Sequence, residues 1–165
     1  MLQEIVPPHT GRAFPAMREL RPAFTDRDEF VKQVDELQRP EGYRMVGVLP
    51  EHQEDAVAVA GFRVATSLSW GRHLYIDDLS TMPAARGQGF AGRLLAWARD
   101  EAARLDCRGI HLDSGVGPSR FTAHRLYLKS GYGIIAHHFF LPLEQRRRAT
   151  FSAESAVGAG EGIRV

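Results

Sequence analysis

The strongest periodicity in the chain lies between Phe90 and Leu105. Ala91, Leu94, Leu95, Ala98, Ala102 and Leu105 fall on one helical face, with Arg93, Asp100 and Arg104 opposite. An amphipathic helix is predicted there. Immediately before it, the sequence reads as a strand over residues 72–81 that runs into a glycine-rich turn. Upstream, a short strand is expected over residues 1–6 and a helix over 10–20, with Pro15 delaying its start or kinking it. A second helix follows the capping-box-like Thr25-Asp-Arg-Asp28, with Phe30, Val34 and Leu37 at helical spacing. Residues 43–49 and 56–65 read as paired strands, with Gly47 and Gly61 marking bulges or close approaches. Beyond the long helix, residues 110–113 form a strand, Ser119 caps a helix that stops at Gly131, and residues 132–135 and 136–143 finish as strands. This order predicts an α/β (mixed α+β) fold, with a mixed, mostly antiparallel sheet flanked by helices.

Candidate chemistry concentrates where the strand meets the long helix. Gly87, Gly89 and Gly92 let a ligand lie against the main chain, and the helix start offers unpaired N–H groups and positive dipole charge. Together these make an anion site suited to a phosphate or pyrophosphate. Gly87-Gln-Gly-Phe-Ala-Gly92 satisfies the dinucleotide fingerprint, with Asp113 about twenty residues on. Against that reading, Met82-Pro-Ala-Ala-Arg86 separates the first glycine from the strand, and Asp77-Asp78 suits a buried parallel strand badly.

Arg86-Gly-Gln-Gly-Phe-Ala91 resembles the pyrophosphate-loop signature of the GNAT superfamily of acetyl-coenzyme A-dependent N-acetyltransferases. A second motif, Ala123-His-Arg-Leu-Tyr-Leu-Lys-Ser-Gly-Tyr132, is similar to the run these enzymes carry in the loop and helix after the fifth strand. The similarity covers roughly residues 43–143. It implies a sheet splayed at the fourth strand, here residues 78–81, and acetyl-coenzyme A as co-substrate. The main-chain N–H of Leu79 would polarise the thioester carbonyl, Ser80 and Thr81 would line the pantetheine arm, and Arg86 with Gly87, Gln88, Gly89, Phe90, Ala91 and Gly92 would hold the pyrophosphate. Ala123 would leave room for the cofactor, and Tyr127 would stand beside the sulfur as general acid. Arg120 departs from the family pattern, which places at this point an Asn that bonds the pantetheine.

Acetyl transfer also needs an uncharged amine, and a lysine-like amine has a pKa of about 10.4, so a base or water chain is expected. Asp77 and Asp78 are candidates, and as strand neighbours they should point to opposite faces. His111 and Asp113 share a face of the next strand, and His137 and His138 are further candidates. Cys107, in a connector with no fixed basic partner in sequence, reads as a packing residue.

Length and composition narrow the class. A chain of 165 residues suits one domain, 1–144, with 1–42 as a helical substrate-side region and 43–144 as sheet and cofactor site. It is short for a dinucleotide domain plus a substrate domain. A net charge of +1 gives no global field for nucleic acid or anionic membrane. One cysteine precludes an internal disulfide, and no apolar run approaches the roughly 20 residues of a membrane span. With no signal-peptide pattern, the expected location is cytoplasmic. Residues 145–165, basic and then rich in Ala, Ser, Gly and Glu, read as a mobile tail. The expected function is transfer of acetyl from acetyl-coenzyme A to a primary amine, small molecule or peptide, without a metal; a homodimer is compatible with it. The rivals are an NAD(P)-dependent oxidoreductase using the same glycines and a non-catalytic coenzyme A sensor.

Overall fold

The computed structural model describes residues 1–143. Two compact units divide the chain, Met1–Leu112 and Asp113–Val165. The expected tail of residues 145–165 lies outside the described residues.

The first unit is built on a five-stranded sheet in the order β1-β2-β3-β4-β5, with β1 Leu2–Ile5, β2 Arg44–Val48, β3 Ala58–Ser67, β4 Gly71–Thr81 and β5 Ile110–Leu112. The pairings from β1 to β4 are antiparallel, and β4 with β5 is parallel. A doubly wound sheet would need repeated parallel crossovers, so this meander removes the structural basis of the dinucleotide reading. Tyr43, Met45 and Val59 join Phe14, Met17, Phe30 and Val34 in a core under the N-terminal helices, α1 Phe14–Arg18 and α2 Arg27–Lys32. On the other face, α3 Phe90–Arg104 buries Leu94, Leu95, Ala98 and Ala102, and Trp97 packs edge-on to Phe62 of β3.

Local details correct several expectations. Of the two outcomes expected of Pro15, the delayed start is the one found, and no long helix is kinked. Pro15 sits in the first turn of α1, after a 3₁₀ turn over Thr10–Ala13, where its missing N–H costs no hydrogen bond. The cap of α2 is Asp26 rather than Thr25; its carboxylate accepts from the Glu29 N–H at 2.9 Å. After Lys32 the helix widens to a π-helix, Gln33–Gln38, and ends at Gly42 in the left-handed conformation.

One buried charge on α3 carries a pH prediction. Glu101 accepts from Arg104 at 2.8 Å through both oxygens and pairs with Arg44 of β2 at 2.7 Å. The bonds from Arg104 and Arg44 hold its carboxyl down from 4.5 to about 2. A depressed acid stabilises the fold above its unfolded pKa, and that contribution is lost as pH falls from 4.5 toward 2. With the exposed Arg104 screened by solvent, the contribution is about 2 kcal/mol. Glu101→Gln is therefore expected to show a smaller loss of stability across that window than the parent, measured by urea unfolding at each pH.

Among the described residues, the second unit contains a 3₁₀ turn, Pro118–Arg120, and α4 Phe121–Lys129. Ser119 does not cap α4: it lies inside the 3₁₀ turn, Arg120 occupies the cap position, and no side chain caps the helix. Gly131, at φ +88°, ends it as expected. The strands expected over residues 132–135 and 136–143 are not formed. Their apolar residues come as adjacent pairs, Ile134-Ile135 and Phe139-Phe140, rather than in the alternation that gives a half-buried strand one face, and this unit offers no ladder partner among the described residues.

Candidate active site

The strand β4 changes character at Asp77. Up to Ile76 it is paired on both sides, with β3 and, from Leu74 to Ile76, with β5. From Asp77 to Thr81 only the β3 side is paired, because β5 ends at Leu112. A bulge marks the transition. Gly61 pairs with Asp78 and Phe62 with Ile76, so Asp77 is the extra residue. At the bulge one guanidinium holds both residues by different atoms: the Arg21 Nε donates to Asp78 Oδ1 at 2.8 Å and its Nη2 to the main-chain carbonyl of Asp77 at 3.2 Å.

Asp78 is buried and fully engaged, since the Tyr43 hydroxyl donates to Oδ2 at 2.7 Å. Burial, and then the charge of Asp78, push the Tyr43 phenol well above its ordinary range, which keeps its proton in this bond. Gly61 is what lets Tyr43 reach across β3. A Cβ there would overlap the Tyr43 hydroxyl and ring. Gly61→Ala is expected to lower stability by about 3 kcal/mol, combining overpacking with loss of a bond to a carboxylate. Thermal unfolding of Gly61→Ala beside Gly47→Ala, where a Cβ would meet chiefly the flexible end of Ile5, checks this: the first should be much the more damaging.

Asp77 faces a different partner. Arg63 forks onto it at 3.0 and 2.5 Å, yet burial raises its carboxyl above the usual value despite that guanidinium. With Gln38, Glu41, Tyr43 and Arg63 it lines a half-open cavity of about 100 Å³. Beyond it, the Ser80 hydroxyl donates to the Ala16 carbonyl at 2.5 Å, tying β4 to α1, and Leu79 is half-buried.

The glycine loop follows a 3₁₀ turn over Pro83–Ala85. Gly87 and Gly89 have φ of +77° and +79°, and a Cβ at either would meet nothing within 4 Å. Gly89 is the N-cap of α3, and no acidic residue stands in the helix's first turn. Open space against the backbone, free N–H groups and an uncancelled dipole fit a pyrophosphate. Arg86 is at hand: its Nε donates to the Thr81 carbonyl at 3.2 Å and its Nη2 lies 3.6 Å from Glu19, a loose pair that leaves the exposed guanidinium available to an anion.

In the second unit, Ala123 and Tyr127 are one turn apart on α4. Tyr127 is buried, its ring lies 6.1 Å from that of Tyr132, and burial raises its phenol pKa. The remaining base candidates stand elsewhere. His111 is stacked on Trp70 at 4.1 Å and lies opposite Tyr75, four residues before Leu79; burial and His73 lower its pKa. Asp113 has left the strand, so it does not share a face with His111; it meets His138 Nδ1 at 2.9 Å. Arg21, Tyr43, Arg63 and Glu41 had no local signal in the sequence, because each reaches the site through tertiary packing.

Comparisons with known proteins give the family. The family model described as "Acetyltransferase (GNAT) family" matches residues 12–132. An uncharacterized N-acetyltransferase of Bacillus subtilis, YhdJ, is 29% identical over 135 residues, 81% of this chain and 91% of that protein. The aminoalkylphosphonate N-acetyltransferase of Salmonella typhimurium is 39% identical over 57 residues, 34% of this chain and 36% of that one. Among solved structures, a probable acetyltransferase matches with a TM-score of 0.74 at 17% identity, covering 88% of this chain and 99% of that one. The aminoglycoside N-acetyltransferase AAC(6')-Iy in complex with CoA matches with a TM-score of 0.71 at 13% identity, covering 88% and 95%. Since the family match takes in the bulged strand, the glycine loop and the Tyr127 helix alike, the chain belongs to the GNAT acetyltransferase family and is an acyltransferase.

Proposed function

We propose that this chain carries acetyl from acetyl-coenzyme A to a primary amine by direct attack, with both substrates bound together. The observation that carries the reading is the parting of β4 from β5 just before Leu79, with an open, positively poised glycine loop only a few residues further on. Acetyl-coenzyme A supplies an activated thioester acyl group. Arg86 and the N–H groups of residues 87–91 hold its pyrophosphate, Gly92 allows close approach at the first helical turn, and Ser80 and Thr81 line the pantetheine with main chain. The Leu79 N–H hydrogen-bonds the thioester carbonyl and stabilises the negative charge that develops there.

Of the two carboxylates, Asp78 has both oxygens occupied and holds the bulge, which orients Leu79. Asp77 faces the cavity with a raised carboxyl pKa, which makes it the better proton acceptor for the incoming ammonium. The ammonium first gives one proton through Asp77 to solvent, so that the neutral amine attacks; as the new C–N bond forms and the C–S bond breaks, Asp77 takes the nitrogen's second proton and Tyr127 gives its own to the departing sulfur, to be reprotonated from solvent. Direct transfer is also supported at Cys107, whose thiol is pushed up by burial and is therefore poor as an acyl-carrying nucleophile.

A screen of primary amines with acetyl-coenzyme A, following free thiol release and the mass of the product, tests this reading. One acetyl group on the amine nitrogen and none on the protein is expected. An acetylated protein that forms and then discharges to the amine would contradict direct transfer, and thiol release unaffected by every amine would contradict the acceptor class.

A further inference from the structure

The cavity beside Asp77 holds an imbalance of charge that the transfer reaction does not use. Its lining brings together Glu41, Asp77 and Arg63, with Gln38 and the buried Tyr43 completing the wall. Arg63 is committed to Asp77 through a two-pronged pair, so those two charges offset each other. Tyr43 is committed to Asp78, and Asp78 is offset by Arg21. Glu41 is left over. It follows the π-helix in the last 3₁₀ turn before Gly42, is exposed, and has no ion pair or hydrogen bond among the described residues, although its charge is felt by Arg63. The cavity therefore carries one uncompensated negative charge, next to the strand on which the acceptor nitrogen is read to react.

We infer that the acceptor bears a second cationic group, seated in the cavity lined by Gln38, Glu41 and Asp77, and that Glu41 selects for it. This rests on the reading of Asp77 as the residue that takes the acceptor's proton. A sphere of the cavity's volume is about 6 Å across, room for one ammonium and a short aliphatic stretch. A four-carbon diamine is a probe of that size. Hydration is stripped from one small ammonium only, and a polar wall of amide, phenol and carboxylate replaces it.

The probes are 1,4-diaminobutane, 1-aminobutane and 4-aminobutyrate, which share a chain length and place a cation, a methyl group or an anion at the far end. Each is titrated into the full chain saturated with coenzyme A, and affinities are read from NMR shifts of the amides around Glu41 and Asp77. The diamine is expected to bind about fivefold tighter than the monoamine, the worth of one partly exposed ion pair, and the amino acid weakest. Raising salt should shrink the difference, and Glu41→Gln, a surface change that leaves the fold intact, should remove it. Equal affinities for diamine and monoamine, or tightest binding of 4-aminobutyrate through Arg63, would overturn the inference. An unchanged preference in Glu41→Gln would do the same. Coenzyme A binding is measured first and separately, so a protein that binds no coenzyme A would count against the transferase reading and not against the cavity.

Discussion

Tyr127→Phe should lower the rate of acetyl transfer by about 10²–10⁴ while leaving acetyl-coenzyme A affinity nearly unchanged. The substitution removes one oxygen. The ring keeps its buried place on α4, its contact with Tyr132 at 6.1 Å and its position one turn after Ala123. What is lost is a proton held at neutral pH, more firmly than usual because burial raises the phenol pKa. A proton donor of that kind acts only as charge gathers on the departing sulfur, so kcat and kcat/KM should fall together. The check is steady-state kinetics with an acceptor from the amine screen, alongside calorimetry of cofactor binding. If Tyr127 were merely a core aromatic, kcat would stay within about twofold of the parent. Equal turnover would assign the sulfur's proton to water or to another group.

Gly89→Val should weaken acetyl-coenzyme A binding by about 10²–10³ in a protein that still folds. In the free chain, the space a Cβ would enter at Gly89 is empty to 4 Å, so no clash accompanies the change. The cost to the fold is conformational: a β-branched residue at φ +79° is strained by about 1–3 kcal/mol, within the reserve of an ordinary domain. The cost to binding is larger, because the side chain fills the space from which the N–H groups at the start of α3 reach an anion. Losing one or two charge-assisted hydrogen bonds accounts for the expected range. Circular dichroism establishes that the variant is folded, and calorimetry reads its affinity. A folded Gly89→Val variant that binds as tightly as the parent would place the pyrophosphate elsewhere.

The parts of the candidate site that lie contiguous in sequence are legible there. Gly87, Gly89 and the periodicity of α3 mark a candidate anion-binding helix start, and Arg86 and the Ala123–Tyr127 spacing carry the family resemblance. The order of the strands is equally plain, since β2 and β3 are separated by the polar stretch of residues 50–55, β3 and β4 by a three-residue turn, and all three show strand-like composition. The environment of the two aspartates was not legible. A bulge depends on register between strands, and register is a property of the pair and not of either segment. Arg21, Tyr43 and Arg63 reach Asp77 and Asp78 from 14 to 57 residues away, a distance over which residue types alone give no pairing. Gly61 looked like a bulge or a close approach and is both, but only the Tyr43 ring shows why. At residues 132–143 strong strand propensity misled, since propensity without a ladder partner forms no strand.

We propose above all that the loop from Arg86 to Gly92 holds coenzyme A. Calorimetric titration of the full chain with acetyl-coenzyme A and, separately, with NADH tests it most directly. Saturable one-to-one binding of acetyl-coenzyme A, weakened by salt because Arg86 contributes, and no binding of NADH are expected. Binding of NADH with none of acetyl-coenzyme A would contradict the proposal.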